Sequence, residues 1–298
     1  MKQDAIIIGG SYAGLSAALA LGRSKRNVYI VDSGLPCNRQ TPHSHNFLSR
    51  DGIRPAELAS IAKAELLRYP TVQWLTDTVI SVEGTDGTFT IKTEGGQAIT
   101  SRKIIFATGV RDIMPNIPGF AECWGISIIH CPFCHGYEVK DEPIAIMADG
   151  DHALEMSKLL RHWNPELTVL TNGPSQLTPS QKELLTRNKI NIIEEPIKRI
   201  THKLGYLEAI EFASFHLKGL KAMYAHPKME QHCDIPIRLG CKLDDYGKLV
   251  TDEFQRTTVA GIFAAGDNAT MLRSVANAVS RGQMAGVAIQ RELLKPLE

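Results

Sequence analysis

The chain carries almost no net charge. Its 298 residues include 33 lysines and arginines against 32 aspartates and glutamates, which leaves a formal charge of +1 at pH 7. Proteins that bind nucleic acid or acidic membranes electrostatically concentrate positive charge. The composition therefore predicts no nucleic-acid partner and favours small molecules or ordinary proteins as partners.

Cysteine is scarce as well. Six cysteines in the whole chain are too few for a fold held together by disulfides. Cys131 and Cys134 are separated by two residues, a spacing that indicates either a working redox pair or half of a zinc site. A zinc site would need further ligands, and the available candidates are His130, His135, His232, Cys233 and Cys241. Because adjacent residues rarely face one metal and Cys233 and Cys241 lack the CxxC spacing, the redox pair is the preferred interpretation.

Long hydrophobic runs are nearly absent. Residues 5–22 form an uncharged stretch of almost membrane-spanning length, but glycines interrupt it and Asp4 stands where a basic flank is expected. A buried strand, a tight turn and a helix explain the stretch better than a membrane anchor. We therefore predict no membrane association and a cytoplasmic location.

The glycine-rich turn at the start of the chain predicts a nucleotide site. It follows a short β-branched strand, Ala5–Ile8, and precedes an Ala/Leu-rich helix, after which a second strand ends at Asp32. Such a βαβ unit lets backbone N–H groups approach a pyrophosphate at a helix N-terminus, while the acidic residue binds a ribose. The alternative is a turn used only for packing. The predicted contacts in this unit are Gly9, Ser11, Ala13, Gly14 and Asp32.

The rest of the chain alternates predicted strands and helices. Gly282 and Gly286, in the last predicted helix, permit close packing against another element, and residues 114–119 break regular structure as a crossing between domains would. Predicted strands occupy residues 72–76, 79–82, 88–92, 103–109, 143–147, 167–170, 249–251 and 261–265, and predicted helices occupy residues 15–21, 55–69, 153–163 and 274–293.

Taken in chain order, these motifs resemble the low-molecular-weight thioredoxin reductase family of flavoproteins. The resemblance covers essentially the whole chain and rests on four stretches, which are Gly9–Gly14, Ala107–Gly109, Cys131–Gly136 and Gly261–Asp267. Each stretch is weak evidence alone, and their order makes the combination specific.

The resemblance implies an α/β fold with two Rossmann-like three-layer domains. Residues 1–115 and 244–298 would form a discontinuous FAD-binding domain. Residues 116–243 would form an inserted NAD(P)-binding-like domain that carries the CxxC. The resemblance also implies a homodimer. The FAD contacts that it predicts beyond the first turn are Asn46, Thr108, Gly109, Gly266, Asp267, Arg273 and Ser274.

Two departures from the family pattern bear on function. His135 follows the dithiol where thioredoxin reductases usually carry Asp, and the hexapeptide Cys131–Gly136 is more similar to the branch of gliotoxin-type dithiol oxidases, which pass electrons to oxygen. In the second βαβ unit, Asp149 and Asp151 put negative charge where a pyrophosphate would lie. The next strand ends at residues 171–173 without an acid for a ribose or an arginine for a 2′-phosphate. We therefore expect inefficient use of NADPH.

The sequence thus predicts an FAD-dependent thiol–disulfide oxidoreductase. Electrons would pass between a dithiol or disulfide substrate, either a thioredoxin-like protein or a small molecule, the Cys131/Cys134 pair and the flavin. By resemblance Cys134 faces the flavin and Cys131 meets the substrate. The external electron partner stays open among NADPH, ferredoxin and oxygen. The alternatives are an NADPH-dependent thioredoxin reductase and a non-catalytic flavin redox sensor that docks a partner.

Histidines near the dithiol are the candidate acid–base groups. We predict that His135 exchanges protons with the cysteines, because its unperturbed pKa of ~6.5 is close to working pH. A helix that begins at Pro132 would favour the cysteine thiolates. His43 and His45 lie in a polar segment that is either catalytic or simply solvated, and residues 212–236 contain histidines in a pattern that indicates no particular site.

Overall fold

The structure is a computed structural model and describes residues 2–294. The strands in chain order are β1 (Gln3–Ile8), β2 (Val28–Asp32), β3 (Val72–Thr76), β4 (Val79–Glu83), β5 (Phe89–Thr93), β6 (Ala98–Phe106), β7 (Val110–Ile113), β8 (Ile128–Ile129), β9 (Ile144–Met147), β10 (Leu167–Leu170), β11 (Asn191–Ile193), β12 (Arg199–Lys203), β13 (Tyr206–Glu211), β14 (His216–Lys218), β15 (Ala222–Ala225), β16 (Lys228–Gln231) and β17 (Ile262–Ala264). The α-helices are α1 (Tyr12–Arg23), α2 (Pro55–Leu66), α3 (Phe120–Cys123), α4 (Pro132–His135), α5 (Gly150–Leu160), α6 (Pro179–Arg187), α7 (Ile235–Arg238) and α8 (Val275–Glu292).

The chain folds into two units. The first unit comprises Met1–Arg39, Phe47–Arg111 and Met229–Glu298, and the second comprises Gln40–Asn46 and Asp112–Lys228. The second unit is therefore inserted into the first. The chain crosses between them within β7 and β16, which pair as a two-stranded sheet.

The observed boundaries differ from the predicted ones in three places. Residues 229–243 belong to the first unit because Ile235 and Cys241 are buried in the same core as Ile6 and Phe106. Residues 40–46 and 112–115, by contrast, belong to the second unit. None of these differences was visible in the sequence, since they depend on packing with residues far away along the chain.

A mainly parallel sheet forms the centre of the first unit. Its order is β3-β2-β1-β6-β5-β4, with β17 also paired with β6, and the pairs among β3, β2, β1, β6 and β17 are parallel. Both faces are buried, since Ile6 and Ile8 contribute to one core and Ile7 to the other. This period-two division of a continuous apolar run is typical of a sheet covered on both sides.

Helices α1 and α8 pack closely on one face of this sheet. A β-carbon added at Gly282 would collide with the backbone carbonyl of Ala13, and one added at Gly286 would lie 2.7 Å from the carbonyl oxygen of Ala17. The predicted role of these two glycines in close packing is confirmed.

A second parallel sheet forms the centre of the second unit. Its order is β11-β10-β9-β15-β8, and all four pairings are parallel. Strands β12, β13 and β14 form a separate antiparallel sheet. The predicted α/β fold with two Rossmann-like units is thus confirmed.

Two stretches of the sequence were interpreted less well. The strand predicted at residues 249–251 is wrong, because Leu249 and Thr251 make only isolated bridges, to Leu243 and Thr257. The segment 212–236, which gave no clear pattern, contains the wholly buried strand β15 at the interior of the second sheet. A run of only four apolar residues is too short to identify as a core strand from sequence alone.

Candidate active site

The first βα turn has the features of a phosphate cradle. Gly9 has a φ of +103°, and a β-carbon on it would collide with the carbonyl of Ala107. A β-carbon on Gly14 would collide with the carbonyl of Gly9. Only glycine permits both approaches, so the turn is held tightly against the start of α1.

The N-terminus of α1 is open to an anion. Ser11 is the N-cap residue, but its side chain makes no capping hydrogen bond, and the first turn of the helix contains no acidic residue. The positive end of this twelve-residue helix therefore has no side-chain cap and no acidic residue in its own first turn. An anionic group such as a pyrophosphate fits this arrangement.

Asp32 lies at the carboxyl end of β2 and is engaged with the same turn. Its Oδ1 accepts a hydrogen bond of 2.8 Å from the backbone N–H of Gly10, and its Oδ2 accepts one of 3.1 Å from Gly34. The carboxylate thus shapes the turn from the side on which a ribose is expected.

The carboxyl ends of β6 and β17 lie beside this turn. Thr108 and Gly109 follow β6, and Gly109 has a φ of +64°. Gly266 follows β17 with a φ of +93°, and a β-carbon on it would lie 3.0 Å from the β-carbon of Ala13. The structure therefore gathers the predicted residues of the first turn, of β6 and of the Gly266–Asp267 motif at one edge of one sheet.

Sequence reasoning missed Asn268 at this edge. The residue is fully buried, and its Nδ2 donates a 2.8 Å hydrogen bond to the carbonyl of Phe106, while its Oδ1 has no hydrogen-bond partner among the described residues. Its position directly after the Gly266–Asp267 motif was the available signal. Asn268 joins β6 to the segment after β17.

Asp267, Arg273 and Ser274 are organised around the start of α8. Nε of Arg273 lies 3.2 Å from Oδ2 of Asp267, and both side chains are largely buried. Ser274 is the N-cap of α8, and its hydroxyl oxygen accepts a hydrogen bond from the N–H of Asn277 at 3.1 Å. Ser274 therefore has a structural role of its own as the N-cap of α8.

Asn46 belongs to a different unit from the other predicted FAD contacts. It has a left-handed backbone with a φ of +58° and belongs, with the rest of residues 40–46, to the second unit. That unit also carries Cys131, Cys134 and His135. The predicted site residues are thus divided into a flavin group in the first unit and a thiol group, together with Asn46, in the second.

The two cysteines form a disulfide at the start of α4. Their Cα atoms are 5.2 Å apart, Cys131 is the N-cap residue, and Pro132 occupies the first turn as predicted. The helix is only four residues long. Because one helical turn provides little dipole, the predicted thiolate stabilisation by a helix N-terminus is weaker than expected.

His135 differs from its expected acid–base behaviour. Burial, with a smaller contribution from repulsion by His45, lowers its pKa from 6.5 to about 4. The imidazole is therefore neutral near pH 7. The expectation that His135 titrates close to working pH is wrong, because the sequence does not show how far the ring is removed from solvent.

His45 reaches this neighbourhood through the segment 40–46. Its Nδ1 lies 3.5 Å from Oε1 of Glu138, three residues after His135 in the chain. The ring of His43 lies 6.3 Å from that of His45. Glu138 was not predicted as a site residue, and no local pattern could have found it, since its partner comes from a distant segment.

The second βα turn contrasts with the first. Asp149 caps α5 with its own side chain, since its Oδ1 accepts hydrogen bonds from the N–H of Gly150 at 2.7 Å and from the hydroxyl of Ser175 at 3.0 Å. The N–H of Gln176 also donates to this carboxylate, at 2.8 Å to Oδ2. Asp151 adds a second acidic residue to the first turn. An anionic group would meet negative charge here, and the N–H of Gly150 is already occupied by the Asp149 carboxylate.

A sequence model of the family described as pyridine nucleotide-disulphide oxidoreductase matches residues 3–206 and 229–282. The chain belongs to this family. Since its members bind FAD, the protein is an FAD-dependent oxidoreductase, and the open first turn is consistent with that cofactor. The resemblance to thioredoxin reductases is confirmed.

Relatives of this pyridine nucleotide-disulphide oxidoreductase extend over its full length. The chain is 34% identical to thioredoxin reductase tcpT of Claviceps purpurea, with 99% of this chain and 95% of that protein covered. It is 33% identical to thioredoxin reductase sirT of Leptosphaeria maculans, with 98% and 94% covered. The crystal structure of an oxidoreductase from Agrobacterium tumefaciens has a TM-score of 0.92 at 38% identity, with both chains covered completely.

Two further findings concern the whole described chain. No helix within residues 2–294 is long and apolar enough to cross a membrane. In the same range, His, Cys, Asp and Glu side chains form no group of three or more that could hold a metal ion.

Proposed function

We propose that the protein oxidises a dithiol at the Cys131–Cys134 disulfide, passes the two electrons to FAD, and makes little use of NADPH. The proposal that NADPH is little used rests on the Asp149 cap, which occupies the α5 N-terminus with a carboxylate of the chain itself. The corresponding turn before α1 has no such cap. Of two similar turns, only the first is suited to a dinucleotide.

The residues that would hold FAD are those at the carboxyl edge of the first sheet. The N–H groups of the turn and the positive end of α1 suit the pyrophosphate, Asp32 suits a ribose, and Asp267 suits the ribityl or phosphate region. FAD supplies a two-electron acceptor when it is bound. The remaining proposed contacts are Gly9, Ser11, Ala13, Gly14, Asn46, Thr108, Gly109, Gly266, Arg273 and Ser274.

The chemistry at the cysteines is thiol–disulfide exchange. A substrate thiolate attacks Sγ of Cys131, and the bond to Cys134 breaks with its electron pair left on Cys134. The second substrate sulfur then attacks the first one and releases Cys131. The substrate has become a disulfide, the cysteine pair has gained two electrons, and two protons have been released.

The wider assignment also rests on the resemblance. The hexapeptide Cys131–Gly136 is similar to that of gliotoxin-type dithiol oxidases, which favours a small dithiol as substrate and oxygen as the final acceptor, with ferredoxin as another candidate partner. A homodimer and a cytoplasmic location stay predictions.

A second candidate is an NADPH-dependent thioredoxin reductase. The family description and the names of the fungal relatives favour it, since both refer to pyridine nucleotides or to thioredoxin reduction. The two candidates differ in the direction of electron flow, so one experiment separates them.

The experiment is anaerobic stopped-flow absorbance of the purified flavoprotein, mixed separately with NADPH and with dithiothreitol. We expect dithiothreitol to bleach the flavin and NADPH to leave it oxidised, and Cys134→Ser to slow the reaction with dithiothreitol by at least about 1,000-fold. Cys37→Ser, at an exposed cysteine outside the disulfide, is the matched control. Readmission of oxygen then separates oxygen from ferredoxin as acceptor.

Two results would contradict the proposal. Rapid bleaching by NADPH would establish the thioredoxin reductase candidate. Flavin that no dithiol reduces, or turnover that survives Cys134→Ser, would leave a non-catalytic redox sensor as the remaining interpretation.

A further inference from the structure

The segment 40–46 departs from the unit on either side of it in the chain. Residues up to Arg39 and from Phe47 onward belong to the first unit, whereas Gln40–Asn46 packs with the second. At Gly125 a β-carbon would lie only 3.1 Å from the side chains of Gln40 and Thr41, so the segment is pressed against the second unit. As a result, His43 and His45 lie in the unit that contains the disulfide.

His45 is held there by a carboxylate. Its Nδ1 lies 3.5 Å from Oε1 of Glu138, and the His45 side chain is only 20% exposed. Glu138 lies on the 3₁₀ turn Tyr137–Val139, which continues directly from the helix that carries Cys134 and His135. Through Glu138, the imidazole of His45 thus contacts the segment that follows the dithiol in the chain.

Several titratable groups lie beside His45. They include Glu138 on the 3₁₀ turn, His43 on its own segment and His135 on α4. Burial raises the pKa of the Tyr224 phenol on β15, and the charge of Glu138 adds to this effect. A nearby carboxylate stabilises an imidazolium. At His135, by contrast, burial and a neighbouring imidazole disfavour the protonated ring.

Dithiol oxidation needs a place for a proton. Each substrate dithiol that becomes a disulfide gives up two electrons and two protons. The electrons open the Cys131–Cys134 bond. One proton is accommodated on a cysteine thiol of the reduced pair, which leaves one thiolate and one proton to be placed nearby. Because a thiolate is stabilised by a neighbouring cation, an imidazolium is the suitable carrier.

We propose that His45, held by Glu138, stores the second proton released when a substrate dithiol reduces the Cys131–Cys134 disulfide. His135, adjacent to Cys134, is neutral and can accept a proton on one ring nitrogen while releasing one from the other, so it relays rather than stores. This inference rests on the proposed dithiol oxidation. The reduced enzyme then contains one thiol, one thiolate and one imidazolium.

The test follows proton release and disulfide opening in the holoenzyme. Protein is mixed anaerobically with dithiothreitol in weak buffer that contains a pH indicator, and free thiols are trapped by alkylation and counted by mass spectrometry between pH 5 and 9. We expect His45→Gln to release about one more proton per disulfide than the wild type near pH 7, and to open the disulfide about 10 to 100-fold more slowly.

The pH dependence provides a readout that a structural role would not produce. The defect of His45→Gln should shrink at high pH, where thiols ionise without a base. Glu138→Gln should release more protons than the wild type near pH 7, because a proton on His45 would no longer have a carboxylate beside it. His43→Gln is the matched control and should behave as the wild type.

Three results would overturn the proposal. The first is wild-type proton release in both His45→Gln and Glu138→Gln. The second is a pH-dependent defect that appears in His135→Asn alone. The third is an effect of His43→Gln equal to that of His45→Gln. Glu138→Gln keeps the test decisive if His45→Gln does not fold. The opening of the disulfide by dithiothreitol is followed at the cysteines, so it remains measurable even if the flavin does not accept electrons from them. A flavin that accepts no electrons would count against the proposed function and not against the role of His45.

Discussion

The imidazole of His135 is partly buried and lies close enough to His45 for their charges to repel. Both effects disfavour the protonated ring and lower its pKa to about 4. A histidine next to a dithiol suggests a base that titrates near neutrality, but its surroundings decide otherwise. At this scale, residue type predicts which chemistry is available, and burial decides the pH at which it is used.

The shifted pKa predicts how stability depends on pH. The folded pKa of about 4 lies below the unfolded value of 6.5, so the unfolded chain binds more protons between these values. The contribution of His135 to the free energy of unfolding should therefore be fully present above pH 6.5 and be lost as the pH falls towards 4. The expected loss is about 2 kcal/mol after allowance for partial exposure. Urea unfolding at pH 7.5, 5.5 and 4.5 measures this, and His135→Asn should show a smaller loss.

The exposed His216 on β14 provides a matched control for this measurement. His216→Asn should lose stability with falling pH in the same way as the wild type. An identical pH dependence in His135→Asn and the wild type would mean that the ring is solvated in the folded protein.

At the scale of elements, two βα turns with similar positions have opposite electrostatics. The turn before α1 presents an uncapped helix N-terminus, whereas Asp149 closes the one before α5 and joins it to Ser175 and Gln176. The same fold thus presents an uncapped helix N-terminus in one unit and a self-capped one in the other.

The Asp149 cap should contribute measurably to stability. Asp149→Ala removes an acceptor used by the N–H groups of Gly150 and Gln176 and by the Ser175 hydroxyl, and we expect a loss of about 1–2 kcal/mol in the free energy of unfolding. Asp151→Ala should cost less than about 0.5 kcal/mol. Asp151 is exposed, and among the described hydrogen bonds its carboxylate accepts only from the Gln181 side chain. Equal losses in urea titrations would count against the cap.

The packing of α8 on α1 gives a second prediction at this scale. Alanine is intrinsically better than glycine in a helix by about 1 kcal/mol. Gly282→Ala should nevertheless lower the free energy of unfolding by about 1–3 kcal/mol, because the new methyl group meets the backbone of Ala13 and cannot be accommodated by a rotamer change. Gln283→Ala, on the exposed side of the same helix, should be nearly neutral. Stabilisation by Gly282→Ala in thermal denaturation would show that the two helices separate easily.

At the scale of the whole molecule, each unit should respond to its own ligand. Hydrogen exchange measured with and without FAD should show protection of peptides that contain β1, the first turn and β17, because ligand binding stabilises the elements that contact it. NADP⁺ added to the holoenzyme should leave the peptide 148–153 unprotected. Strong protection of that peptide would show that the Asp149 cap gives way to a nucleotide.

The sequence predicted the local parts of this site well. The positions of the Gly9–Gly14 turn, the Asp32 strand end and the CxxC were all readable, because each depends on a few adjacent residues with a defined period or spacing. The interior strand β15 and the isolated bridges at Leu249 and Thr251 were not, because short apolar runs carry no period. Asn268 was also missed, although it follows a motif that was recognised.

By itself, the sequence determined two Rossmann-like units, through the resemblance of its motifs in their order, and it located a glycine-rich βα turn and a CxxC pair, because motif spacing is a local property. Only the tertiary structure decided that Asp149 closes the second turn and that His135 is kept neutral. It also decided that His45 crosses to the thiol-bearing unit to meet Glu138. These outcomes depend on burial and on charges from distant segments, and the sequence order of the residues does not specify either.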